Sequence, residues 1–177
     1  MRLIDMGTAK VLSGKHGGRT FTIIGTPHYM APEIISGKGY SYSVDLWSVG
    51  ICLFEFLCGE VPFAEDADDP YEIYEEIVKK PIVYPSFMKD KKAKKIIDQL
   101  LSKVPELRLG GSYGALKGHV WFNNNNFDWV CLKKSYYFFF KICLIFWVNF
   151  TLKNNAYKHV LFMVHIYFLQ LFDSSRV

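Results

Sequence analysis

Glycine and proline are absent from the last third of this chain. All 13 Gly and all 7 Pro of its 177 residues lie at or before Gly118, so the remainder lacks the residues that punctuate turns. Acid is missing there as well. Residues 129–177 carry six Lys and Arg against Asp173 alone, whereas 1–128 carry 15 against 16. The net charge of +4 therefore joins a near-neutral segment to a basic one. It does not mark a nucleic-acid protein, because 1–128 holds no basic patch interleaved with base-stacking aromatics. The Lys-rich run at 89–95 reads as the solvated face of a helix. Cysteine is sparse: Cys52, Cys58, Cys131 and Cys143 fit neither CxxC nor zinc spacing, which excludes a disulfide scaffold and points to a reducing, cytoplasmic setting. Arg2, Asp5 and Lys10 interrupt any signal-peptide core at the start. Half the residues are hydrophobic, which excludes a wholly disordered or collagen-like chain.

What is present is mostly helical punctuation. Arg2–Ile4 and Phe21–Ile24 are short apolar runs that read as strands or extended pieces, with a Gly-rich loop at 13–19 between them. Ala31-Pro32-Glu33 starts a short helix that Gly37 and Gly39 end. Residues 41–59 place apolar side chains on every face of a helix, which predicts a centrally buried one, with Gly59 as its stop. Asp69-Pro70 reads as N-cap and first residue of a helix striped by Tyr74, Ile77 and Val78. Pro81 and Pro85 bracket an extended connector. Ala93, Ile96, Ile97, Leu100, Leu101 and Val104 recur at helical spacing over 90–103. A turn follows at 105–111 and one last short helix at 115–122.

One constellation carries chemistry. Asp5-Met6-Gly7 is followed by Thr22, by Gly25-Thr26-Pro27-His28-Tyr29-Met30-Ala31-Pro32-Glu33, by Asp45-Leu46-Trp47-Ser48-Val49-Gly50 and by Arg108. Each piece alone has a bland reading: Thr22 an ordinary extended residue, Glu33 a first-turn carboxylate, Asp45 a helix-start charge. In this order and spacing they resemble the protein-kinase catalytic domain from its metal-binding turn onward. The stretch 19–33 is similar to the activation segment of AGC-type serine/threonine kinases, in particular the cGMP-dependent kinases of apicomplexan parasites. The resemblance covers roughly residues 2–129. It implies a mainly α fold, the C-terminal lobe of a kinase with short N-terminal strands.

The resemblance assigns roles. Asp5 would hold Mg²⁺ at the ATP phosphates, a task for hard oxygen ligands, and Met6 stands where the family has Phe. Thr22 would be the activation-loop phosphosite, and Thr26 would support the catalytic Asp. Ile23, Pro27 and Met30 would line the pocket for the residue after the phosphoacceptor, and Glu55 would recognise a substrate Arg. Glu33 and Arg108 would form a buried ion pair, and Asp45 would brace the catalytic loop. ATP and Mg²⁺ are then the cofactors of the full-length relatives, and the partners are protein substrates with basic residues near Ser or Thr.

Other parts of the pattern do not occur in these residues. No Gly-rich loop, β3 Lys, helix Glu, HRD-type loop or cyclic-nucleotide domain is found. Phosphoryl transfer rests on positioning and charge stabilisation, so the 177 residues alone are expected to be inactive, with nucleotide binding not expected of them either. The competing readings are a non-catalytic module that binds substrates or regulators and a membrane-attached fragment. The non-homologous segment 130–177 holds 13 aromatics within 136–172. Its two apolar runs are each short for a membrane span. It reads as an unselected, read-through-like tail, rich in Phe, Ile, Tyr, Asn and Lys, residue types with A/T-rich codons. An interfacial anchor and a packed extension are the alternatives.

Overall fold

Helix α2, Ser43–Cys58, is the element against which the rest is laid. In the computed structural model the described residues are 6–12, 18–111, 113–124 and 127, all within the unit Met1–Trp129. The short helix α1, Pro32–Ile35, precedes α2, and α3 (Pro70–Lys79), α4 (Lys91–Leu100), α5 (Tyr113–Lys117) and α6 (Val120–Asn124) follow. Helix α2 packs on α4, on the 3₁₀ helix Pro105–Gly111 and on the 3₁₀ turn Pro27–Tyr29. Leu46, Trp47, Ile51 and Phe54 are fully buried there. The expectation of burial on every face fails, because Val49 is 47% and Phe56 48% exposed. The packed elements leave the side bearing those two only about half covered. Gly59 closes the helix with φ 89°, and its N–H reaches the Glu55 carbonyl.

Gly50 sets how closely α2 and α4 approach. A Cβ at that position would stand 2.8 Å from Leu100 Cβ and 2.7 Å from Leu101 Cδ2. The missing side chain admits the buried end of α4, which outweighs glycine's entropic handicap of about 1 kcal/mol in a helix.

Helices α3 and α4 begin as their sequences require. Asp69 accepts from Tyr71 N–H at 2.9 Å, with Pro70 in the first turn. Asp90 accepts from Lys92 N–H and Ala93 N–H at 2.8 and 3.1 Å. Each cap satisfies amides that the helix cannot. At the far end of α3, Lys103 Nζ donates to the carbonyls of Val78 and Lys80. The apolar stripe of α3 is Ile73 and Ile77, one turn apart; Val78 is turned out. Val104, at the end of the α4 periodicity, is also exposed, because the helix stops at Leu100.

Two further expectations are corrected. Among the described residues there is no strand. The one pairing is an isolated antiparallel bridge between Thr20 and Tyr40, and Phe21, Ile23 and Ile24 are half-exposed beyond it. A strand needs a ladder partner, and past that bridge 21–24 has none. Arg2–Ile4 lies outside the described residues, as does 130–177. The single helix expected over 115–122 is two helices, broken at Gly118. His119 starts the second by accepting from Trp121 N–H on Nδ1 at 3.1 Å.

That bond places the His119 proton on Nε2, which is buried with no hydrogen-bond partner. Burial, helped by the Lys95 charge, pushes the His119 pKa below its ordinary 6.5. The unfolded chain takes up this proton near pH 6.5 while the native ring stays neutral to lower pH. Stability is therefore fully present above pH 6.5 and falls as the pH drops below it. Urea midpoints at pH 7.5 and 5.5 should differ in that direction. His119→Asn keeps an acceptor for Trp121 N–H and should shrink the difference. An undiminished difference in the variant would assign the effect to other groups.

Candidate functional site

The expected phosphosite lies in a small polar cluster. Lys10 Nζ donates to Thr20 Oγ1 at 2.7 Å and reaches Thr22 Oγ1 at 3.5 Å. Tyr40 donates its hydroxyl to the Thr22 carbonyl, and its backbone pairs with buried Thr20 in both directions at 2.9 Å. The turn carrying Tyr40 depends on Gly39, which has φ +80° and whose absent Cβ would meet Phe21 Cε1 at 2.7 Å. The result is an exposed threonine hydroxyl beside an ammonium, on backbone held by Tyr40.

The next stretch is fixed to α2. Pro27–Tyr29 forms a 3₁₀ turn, with Tyr29 N–H bonded to the Thr26 carbonyl and Met30 N–H to that of Pro27. Tyr29 donates its hydroxyl to Glu55 Oε2 at 2.8 Å, and Ser48 Oγ donates to the Tyr29 carbonyl at 3.0 Å. Both partners lie on α2, seven residues apart and so two turns apart on one side. His28 Nε2 meets the Ala64 carbonyl at 3.0 Å, and Ala64 N–H donates to Glu76 Oε2 at 3.0 Å. Ala64 holds φ 48° to make both bonds, so the turn is tied to α3 as well.

The end of the stretch is locked by charge. Arg108 Nη1 and Nη2 donate to Glu33 Oε1 and Oε2 at 2.5 and 2.6 Å. This is the bidentate geometry that matches guanidinium to carboxylate. Arg108 is fully buried and Glu33 is 9% exposed. Arg108 also donates from Nε to the Ser102 carbonyl at 2.8 Å and from Nη1 to the Ser43 carbonyl at 3.2 Å. The guanidinium lies 5.2 Å from the centre of the Trp47 ring, which itself stacks on Phe63. Four pieces of chain thus meet at one side chain.

Glu33 and Arg108 are brought together as expected, and Glu55 sits partly exposed on α2. Met30 is buried, Pro27 half-buried and Ile23 57% exposed. The Thr26 hydroxyl makes no capping bond to the turn it precedes. Asp45 is exposed in the first turn of α2, and the catalytic loop it would brace is not among these residues. Asp5 lies outside the described residues. Among those described, no group of three His, Cys, Asp or Glu could hold a metal ion. Sequence reading missed Lys10, Tyr29, His28 and Ser48. Tyr29 could have been suspected as the one large polar aromatic in GTPHYMAPE, but a lone lysine or serine gives no local signal.

The protein kinase domain family model matches residues 1–122. The chain is 45% identical over 132 residues to a cGMP-dependent protein kinase of Toxoplasma gondii, covering 73% of this chain and 13% of that relative. It is 44% identical over 117 residues to the cGMP-dependent protein kinase of Plasmodium berghei (strain Anka), covering 66% and 13%. It is 37% identical over 131 residues to a cAMP-dependent protein kinase catalytic subunit of Arthrobotrys oligospora, covering 72% and 24%. The chain thus spans about an eighth of the length of the cGMP-dependent relatives. On these matches the chain belongs to the protein kinase family, among the AGC-type serine/threonine kinases.

Proposed function

We propose that this chain is the substrate-facing helical part of a serine/threonine kinase of the cGMP-dependent type, whose full-length form transfers the ATP γ-phosphate to protein Ser or Thr. The buried Glu33–Arg108 pair carries this reading. It anchors the end of the segment 25–33 to the body that holds Glu55, so Met30 and the Glu55 carboxylate keep a fixed relation. A peptide lying across that segment would set its apolar residue near Pro27 and Met30 and an Arg against Glu55. Tyr29, already donating to Glu55, holds the carboxylate in place and leaves its other oxygen for a guanidinium. Thr22 is the phosphorylation site, and Lys10 is positioned to pair with the added charge. Asp5 and Thr26 serve the metal and the catalytic Asp only in the full-length kinase.

The 177 residues alone bind such peptides without turnover. The test is calorimetric binding of an Arg-containing Ser/Thr peptide to this chain, with an ATP phosphate-transfer assay alongside. Glu55→Gln should weaken binding roughly tenfold, in keeping with a lost charge-assisted contact. Equal affinity in the variant would overturn the substrate role of Glu55. Transfer by the chain alone, abolished by Asp5→Ala, would overturn the claim of inactivity.

A further inference from the structure

Charge is segregated along the described body. Residues 39–78 hold ten acids and no Lys or Arg, and 79–103 hold eight lysines against Asp90 and Asp98. Part of the lysine excess sits where helix physics disfavours it. Lys91 and Lys92 open α4, whose first turn contains no acid, at the end where the macrodipole favours negative charge. Lys91 and Lys95 are four apart and Lys92 and Lys95 three apart, which sets like charges side by side on one face. All three are exposed, on the side of α4 away from buried Ala93, Ile96, Ile97 and Leu100.

The connector before α4 adds a second, independent feature. Val83 is 74% and Phe87 45% exposed. Phe87 stands on the turn closed by Met88 N–H to the Pro85 carbonyl, three residues before the Asp90 cap. The connector is held against α4, because Tyr84 donates to Asp98 at 2.7 Å and packs its ring under Lys94. Exposed apolar side chains on a loop tied to α4 are thus followed in sequence by Lys89, Lys91, Lys92 and Lys95.

From this we infer that the 82–95 face is a contact surface for an anionic bilayer. The lysines would sit among acidic headgroups, and Phe87 and Val83 would enter the interface. A soluble polyanion would use the charge but gives Phe87 nothing to enter, so the bilayer is favoured over nucleic acid. The surface belongs to the folded body.

Co-sedimentation of the full chain with phosphatidylcholine vesicles, with and without about one-third phosphatidylserine, tests this. Binding should require phosphatidylserine. Each lysine near such a surface contributes about fivefold, so Lys91→Ala/Lys92→Ala/Lys95→Ala should lose roughly 100-fold. The triple variant should melt no lower than the parent, because it relieves charge crowding in α4. Phe87→Ser should lose roughly tenfold on its own. Undiminished binding by the triple variant would place the contact elsewhere, in the tail or another face, and overturn the inference. Loss in the lysine variant with full binding by Phe87→Ser would indicate a bare polyanion site and overturn the bilayer assignment. Equal binding to neutral vesicles would also overturn it.

Discussion

Arg108→Met should destabilise the folded chain by about 3–5 kcal/mol, the range for a buried ion pair broken on one side. The methionine fills the space but leaves the Glu33 carboxylate, 9% exposed, without its two donors. For a domain of this size that is a large share of the total stability. Lowered urea midpoints with an unchanged slope would show it. The double variant Glu33→Met/Arg108→Met should recover a good part of the loss, because no buried charge remains. Recovery should stop short of the parent, since the part-buried carbonyls of Ser43 and Ser102 each lose a hydrogen bond from the arginine, at about 0.5–1.5 kcal/mol apiece. A parent-like midpoint for Arg108→Met alone would mean that water or another side chain already serves Glu33.

This pair also shows how far sequence carries. Glu33 and Arg108 are 75 residues apart, and neither periodicity nor capping links them; only the family resemblance did. Local physics served the helix starts well, because Asp69-Pro70 and Asp90 solve their hydrogen-bond problem within four residues. It served the core of α2 less well. Apolar residues on every face predict full burial, but burial depends on which elements arrive, and Val49 and Phe56 stay about half exposed. The strand reading of 21–24 failed for the same reason: β-branched composition states a preference, and a ladder needs a partner. The polar ties of the site were hidden in sequence. Tyr29 to Glu55 and Lys10 to Thr20 are long-range bonds between residue types that have ordinary surface uses.

Trp47→Ala should cost about 3–5 kcal/mol by truncation of a fully buried aromatic. Its effect should also fail to add to that of Arg108→Met. Trp47 is stacked on Phe63 and lies beneath the Arg108 guanidinium. Removing the ring opens a void under the ion pair, so the arginine is already displaced when the second change is made. The combined loss should fall short of the sum by roughly 1 kcal/mol, within the range seen for residues in contact. Trp47→Phe separates the ring from its N–H. Nε1 is buried without a hydrogen-bond partner, so phenylalanine removes an unsatisfied donor while keeping an aromatic face toward Arg108. That variant should stay within about 1–2 kcal/mol of the parent, the usual range for a well-tolerated hydrophobic exchange. If Trp47→Phe proved as damaging as Trp47→Ala, the indole N–H would have a partner in solution, and the ring's role as a floor for the ion pair would lose its support. Additive losses in the double variant would sever Trp47 from Arg108 energetically and leave each as a separate core residue.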